Sequence, residues 1–366
     1  MNALFLELAV GLVWVAAAWA APGNWFKALS VAAALTLFAL IDPWSAVLLF
    51  GVTLGGWAAI RSSASPSRLA LASGIAGLGI LFGFKWFSDW LPFGISYFIF
   101  RQISYQIEVY KGELPPHKFS DLLAYQFLPP VLLVGPIHRF TPFLVDLRRR
   151  RWDTGLFTSG LEKVILGLFH LAFVGNYLLS LQVPKWIEGL PVLQWHYLES
   201  VRFAFNTYFQ FAGYSEVAVG LSAMAGLRVM DNFNRPFLAQ NISDFWQRWH
   251  ISLSSWCRDS VYFPVVASTR NVGIGLLLSL GLLSMWHETN INYALWGLLH
   301  VAATLVFRWW TKRGGVDWLR QIHPATQYIG HLLTFHFVVF SFTLIRSSGW
   351  APIVAFWSPV WQSLFP

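Results

Sequence analysis

The chain has 366 residues, 56% of them hydrophobic and 17% aromatic against 11% charged, and no polar block is long enough for a separate soluble domain. Apolar content of that size, spread over nearly the whole length, excludes an ordinary globular domain and reads as an all-α, polytopic membrane protein. The single cysteine, Cys257, excludes an intrachain disulfide scaffold, and the formal net charge of +8 lies in short loops between apolar segments, where a bilayer accounts for it better than nucleic acid does.

The opening "MNALFLELAVGLVWVAAAWAA" lacks a basic leader, carries Glu7 and is expected to remain as a first membrane helix. Apolar segments follow at about 28–41, 44–60, 69–87, 94–108, 122–138, 156–181, 201–226, 273–287, 293–307, 328–346 and 350–365, which predicts about ten to twelve transmembrane or re-entrant helices in one domain, residues 1–366. Lys27, Arg61, Arg68 and the run Arg148 to Arg151 follow alternate spans, whereas the "IDPW" turn at Asp42 has no basic residue. The positive-inside rule therefore places the N-terminus outside the cytoplasm. No internal repeat is visible, which weakens a transporter built on inverted repeats.

Polar groups interrupt the apolar pattern in four places. In "FGISYFIFRQISYQIEVYKG", Arg101, Tyr105 and Glu108 share a helix face, and an internal Arg–Glu pair is expected to hold the bundle together. In "YFQFAGYSEVAVG", the small residues Ala212, Gly213 and Ser215 suit close helix packing, while Gln210 and Glu216 exceed what packing needs. In "FWQRWHISLSSW", a helical period gathers Trp246, Trp249, His250, Leu253 and Trp256 on one face and Arg248, Ser252, Ser255 and Asp259 on another, after an N-cap region at Asn241, Ser243 and Asp244. Taken alone, that pattern also fits an interfacial helix anchored by its tryptophans.

The fourth place is "LLSMWHETNINYALW". Its flanking apolar runs, Gly273 to Trp286 and Tyr293 to Phe307, are 14 and 15 residues long, short of the ~20 needed to span. The polar centre from His287 to Asn292 is therefore expected to be recessed into protein, and an ionisable group at that depth marks a functional site. His300 is expected to hydrogen-bond across helices, and His331 and His336, five apart, do not align as a metal pair. There is no His/Cys cluster with zinc spacing and no phosphate loop, so no metal or nucleotide is expected.

In order along the chain, "FGISYFIFRQISYQIEVYKG", "VGPIHRF", "YFQFAGYSEVAVGLS", "NFNRPFLAQNISDFWQRWHISLSSWCRDSVYFP", "LLSMWHETNINYALWGLLH" and "LLTFHFVVFSFTLIRSS" resemble the membrane-bound O-acyltransferase family, over about 92–348. Within it, the chain is most similar to the bacterial branch of alginate O-acetyltransferases and the D-alanyl transfer proteins of teichoic acids. The resemblance implies a funnel-shaped helical bundle in which acyl donor and hydroxyl acceptor approach from opposite sides. It also implies that His287 matches the near-invariant membrane histidine and His250 the second one. The chain departs from the family pattern at Glu288, where Gly is usual, and at Gln210, where Asp is common.

Acyl transfer to a hydroxyl needs a base beside the attacking oxygen, a task that suits neutral imidazole. His287 is expected to be that base and His250 a positioning or stabilising group, with Asn290 or Ser252 as oxyanion donors and Trp246, Trp249 and Trp256 lining the substrate. The function expected on this basis moves a short acyl group, acetyl foremost, from a cytosolic thioester donor, acetyl-CoA or an acyl carrier protein, to an exported polysaccharide or cell-envelope glycan. An acyl conduit serving an extracytoplasmic partner protein, and a structural membrane partner that needs neither histidine, are the competing classes. The expected location is the bacterial inner membrane.

Overall fold

The computed structural model describes residues 3–322, 325 and 327–365. Among them the regular structure is helical, without a strand, and the packing divides the chain into two compact units. Six helices are long and apolar enough to cross a membrane: Gly23–Ile41, Pro43–Ser62, Pro66–Phe87, Thr154–Ile187, Ile291–Lys312 and Tyr328–Ile345; Phe5–Ala20 and Val272–His287 are shorter apolar helices.

The first unit comprises Met1–Leu168 and Gly213–Asp231. Its helices are α1 (Ala3–Ala20), α2 (Phe26–Ile41), α3 (Pro43–Ser62), α4 (Pro66–Phe87), α5 (Ile95–Lys111), α6 (Phe119–Gln126), α7 (Phe140–Arg148) and α8 (Thr154–Leu168). Helix α5 is buried all round its first three turns, from Ile95 through Gln106. The span expected at 122–138 does not form. Pro129, Pro130 and Pro136 withhold backbone donors, so α6 stops at Gln126 and a short turn at Pro129–Val131 leads into irregular backbone. That backbone is nonetheless buried, with Leu128, Val131 and Ile137 sealed from solvent.

The expected Arg101–Glu108 pair is also absent. Seven residues of helix separate the two by ~10 Å of rise, and a better partner reaches Glu108 first. Its carboxylate accepts the Phe140 and Thr141 backbone N–H groups, both at 3.1 Å, capping the otherwise unsatisfied start of α7. Arg101, fully buried, reaches the Tyr125 carbonyl at 3.5 Å. In the arginine run, Arg150 turns inward, donates to the Ala225 and Ala18 carbonyls at 2.7 and 2.8 Å and stacks on Trp19.

Close helix packing in this unit rests on glycines. A Cβ on Gly160 would lie 2.6 Å from the Gly220 carbonyl oxygen, one on Gly220 would lie 2.5 Å from the Gly160 oxygen, and one on Gly167 would lie 2.7 Å from that of Gly213. Two glycines seven residues apart on each strand of the pair thus bring the backbones into direct contact, as small residues do between membrane helices. Gly213 plays the packing part expected of it.

The second unit comprises Phe169–Ala212 and Asn232–Pro366. It holds a widened π-type helix, Phe169–Gln182, then α9 (Val183–Ile187), the first part of α10 (Val192–Met224), α11 (Ile242–Arg248), α12 (Ile251–Cys257), α13 (Phe263–Thr269), α14 (Val272–His287), α15 (Ile291–Lys312), α16 (Gly315–Ile322), α17 (Gln327–Phe342) and α18 (Trp350–Leu364). Helices α14 and α15 form an antiparallel hairpin, and α15, at 22 residues, is a full-length span where a short limb was expected.

The glycine contact gives a direct check. Gly220→Val should destabilise the protein by about 1–3 kcal/mol through overpacking, read as a lower thermal midpoint in detergent. Gly55→Val, where an added Cβ meets nothing within 4 Å, should leave the midpoint unchanged.

Candidate active site

The Trp-rich segment is not one helix. Helix α11 ends at Arg248, α12 begins at Ile251, and His250 between them adopts a left-handed conformation (φ 45°, ψ 53°) that non-glycine residues rarely take. Local propensity does not explain the break, because no Gly or Pro lies in "WQRWHISLSS". Tertiary hydrogen bonds do. The Arg248 carbonyl accepts from the Asn234 N–H at 3.0 Å, the Ile251 N–H donates to the Asn232 carbonyl at 2.9 Å, and the Ser252 N–H donates to the Asn232 side-chain oxygen at 3.3 Å. Upstream, the Asn241 side chain caps α11 by accepting the Asp244 N–H, while Asp244 accepts the Gln240 N–H and pairs with Arg248 at 2.7 Å. The N-cap region read from the sequence is therefore real, whereas the single amphipathic face is not.

The break buries His250 completely against Phe211, whose ring meets it edge-on at 4.6 Å, and against Trp286 at 5.5 Å. His287, the last residue of α14, is half-buried, with its ring centroid 6.1 Å from that of His250. Trp286 at 4.6 Å, Tyr293 at 5.8 Å and Trp296 at 6.4 Å surround the His287 ring. Two histidines 37 positions apart in the sequence thus share one aromatic enclosure. Burial first, and then the neighbouring His287, push the His250 imidazolium well below the usual histidine range, so this ring stays neutral.

The remaining residues singled out in the sequence separate into groups. Trp246 packs on Trp296 at 5.7 Å and on His300 at 5.2 Å, which places it one ring away from His287. Trp249 is turned toward Phe245, Phe233 and Phe342, at 5.6, 5.1 and 5.1 Å. Trp256 is buried near the end of α12. Ser252 is buried, and its hydroxyl has no hydrogen-bond partner among the described residues. The Asn290 amide is held at both ends: its oxygen caps α15 by accepting the Tyr293 N–H at 3.1 Å, and its nitrogen donates one N–H to Ser348 Oγ at 3.3 Å. His300 crosses to α17 as expected, with Nε2 3.1 Å from Ser341 Oγ.

Two features were missed in the sequence. Asn292, inside the polar centre but not distinguished from its neighbours there, is completely buried and clamps the segment after α17. Its side-chain nitrogen donates to the Leu344, Ser347 and Gly349 carbonyls at 2.9, 2.6 and 3.1 Å, and its oxygen accepts the Gly349 N–H at 3.0 Å. The indole N–H groups of Trp246 and Trp296 are buried without a hydrogen-bond partner among the described residues, so they stand ready as donors beside the histidines. A tryptophan's donor is easily overlooked when its ring already explains its presence.

A cavity of about 380 Å³ opens beside α11 and α12, lined in part by Trp246, Ser254, Ser255, Arg258 and Arg308. No group of three His, Cys, Asp or Glu side chains able to hold a metal ion occurs among the described residues.

Comparison with known proteins adds to this geometry. The probable alginate O-acetylase of Pseudomonas aeruginosa is 36% identical over 214 residues, covering 57% of this chain and 41% of that protein. The teichoic acid D-alanyltransferase of Bacillus subtilis is 30% identical over 277 residues, 68% of this chain and 67% of that protein, and the peptidoglycan O-acetyltransferase of Helicobacter pylori is 26% identical over 298 residues, 71% and 54%. The chain spans about half the length of the curated relatives it matches. The family model described as membrane-bound O-acyltransferase matches residues 80–345, which contain both histidines and the segments that enclose them. The chain belongs to the membrane-bound O-acyltransferase family.

Proposed function

We propose that this protein is a membrane O-acyltransferase that moves a short acyl group, acetyl foremost, from a thioester donor to a hydroxyl of a polysaccharide or other cell-envelope glycan. The observation that carries the reading is the meeting of His250 and His287 at 6.1 Å within one aromatic enclosure. Family membership and the glycan acceptors named for the relatives support it.

In this reading His287, half-buried and therefore reachable, is the general base. It removes the proton of the acceptor hydroxyl as the oxygen attacks the thioester carbonyl. The tetrahedral intermediate then expels the thiolate, which takes back the proton from His287, and the ester and free thiol leave. The charge developing on the carbonyl oxygen needs donors already in place. Ser252 Oγ and the Trp296 indole, buried and otherwise unpartnered, fit that need, and Asn290 keeps one N–H beyond its bond to Ser348. His250, held neutral, positions the reacting groups rather than accepting the proton. The cavity beside Trp246 carries Arg308, which pairs with no carboxylate among the described residues, and suits the phosphates of a cytosolic coenzyme A or carrier-protein donor. The chain works as a single membrane domain of the bacterial inner membrane, with its N-terminus on the extracytoplasmic side.

The decisive experiment measures O-acyl ester in envelope and secreted glycans of cells carrying the wild-type protein, His287→Ala or His250→Ala, with membrane levels checked. His287→Ala should abolish the ester while the protein accumulates, and His250→Ala should reduce it by about 10² or more, the usual scale for a lost stabilising group. Unchanged ester in both variants sinks the assignment. Acyl group trapped on a second, extracytoplasmic protein would instead show that a partner completes the transfer.

The neutral His250 also predicts acid sensitivity. Unfolded, this histidine titrates near 6.5, whereas the folded ring refuses the proton, so the unfolded state binds more protons as pH falls through that value and stability declines. The thermal midpoint in detergent should fall on going from about pH 8 to about pH 5, and His250→Asn, which tolerates the left-handed conformation, should flatten that decline. Equal slopes in the two proteins would contradict the burial argument.

A further inference from the structure

A second cavity, of about 530 Å³, lies in the same unit beside the segment that Asn292 clamps. One residue of its wall, Arg346, belongs to an ion cluster with unequal charges. The buried Glu199 carboxylate accepts from Arg202 Nε at 2.5 Å and Nη2 at 2.6 Å, and from Arg346 Nη2 at 2.8 Å. Arg202 also donates to the Leu179 carbonyl at 2.9 Å. One carboxylate, 5% exposed, is thus shared by two guanidiniums, 13% exposed at Arg202 and 30% at Arg346, which leaves one positive charge without a counter-ion in the cluster. Arg346 Nη1 is buried and has no hydrogen-bond partner among the described residues, and the guanidinium lies 4.7 Å from the centre of the Phe356 ring. The Arg346 side chain as a whole is 30% exposed, and a guanidinium offers carboxylate or phosphate a matching pair of donors.

The rest of the wall is suited to sugar. Trp195, half-exposed, presents a flat apolar face of the kind that covers the C–H face of a pyranose ring. His196 gives its Nδ1–H to the Val192 carbonyl at 2.7 Å, so Nε2 is left as an acceptor for a hydroxyl. Ser347 adds a side-chain hydroxyl. The cavity is also tied to the candidate active site. Ser347 gives its carbonyl to Asn292, and the adjoining Ser348 donates to Glu288, the residue after His287, at 3.1 Å.

We propose that this cavity is the acceptor subsite for an acidic sugar unit, with its carboxylate or phosphate on Arg346 and its ring on Trp195. The proposal deepens the acyltransferase reading and rests on it for the ligand's role as acceptor. It makes acceptor choice depend on charge: a glycan bearing anions is held, and its neutral counterpart is not.

The test is binding of three probes to the purified full chain in detergent, followed by calorimetry: a short oligouronate, the same oligosaccharide with its carboxyls reduced, and a short glycerol-phosphate oligomer. At least one anionic probe should bind about tenfold or more tightly than the reduced one, as expected for a hydrogen-bonded charge pair, and the preferred probe identifies the anion. Arg346→Gln should erase that preference while keeping the fold, because Glu199 and Arg202 remain as a balanced pair. His287→Ala should bind like wild type. Equal binding of the oligouronate, the glycerol-phosphate oligomer and the reduced oligosaccharide by the wild-type protein overturns the subsite without recourse to any variant, as does an Arg346→Gln protein that keeps the preference. An acidic peptide binding as tightly as the oligouronate would overturn the sugar assignment. Charge-dependent binding with no acyl transfer in cells would instead defeat the acyltransferase reading and leave the subsite standing, so the two failures are distinguishable.

Discussion

The candidate site depends on the left-handed turn at His250. A residue with a Cβ in that conformation costs roughly 1–2 kcal/mol, and nothing in the local sequence favours it. It persists because Asn232 and Asn234 take up the backbone groups on either side and Asn241 and Asp244 fix the start of the preceding helix. If the segment continued as one helix, His250 would stay on a face with Trp246 and Trp249. The turn separates them, sending Trp249 toward Phe342 and the imidazole toward Trp286 and His287. Strain of this kind, maintained by surrounding hydrogen bonds, is common where side chains must be aimed.

The class of fold was plain in the sequence, because it rests on strong local signals, and the polar interruption that holds His287 was plain for the same reason. Long apolar runs have few alternatives in lipid, and an ionisable group at the junction of two such runs is too costly to be incidental. What the sequence concealed was set by contacts distant in the chain. The break at His250 is made by residues 16 and 18 positions upstream. The Arg101–Glu108 pair failed because the start of α7 supplied two backbone donors to Glu108, a competitor that helical spacing cannot display. Residues 122–138 looked like a span because their apolar content was weighed above their prolines, and burial of that irregular stretch satisfied the hydrophobic pattern without a helix.

Asn292 shows a further limit of pattern reading. Within the run His287 to Asn292 every residue is polar or flanked by polar residues, and hydropathy treats them alike. In the fold their tasks differ: Asn290 caps a helix, Glu288 meets Ser348, and Asn292 secures three carbonyls and one N–H of the segment after α17. A single buried amide satisfying that many backbone groups makes the positions of the two segments interdependent. The residue beside His287 and the wall of the anion-accepting cavity consequently belong to one hydrogen-bonded assembly.

The two histidines sit in unlike environments. The His250 imidazole is sealed among Phe211 and Trp286 with a second imidazole close by, and burial disfavours its charged form. His287 keeps partial access at the end of α14, with the Trp296 indole 6.4 Å from its ring. Two groups of the same chemical type acquire separate roles when their environments differ. The neutral ring can still offer one N–H and one lone pair, and that is what positioning an alcohol requires. Exchanging the roles proposed for the two rings would demand that the buried one carry charge, the state that burial disfavours.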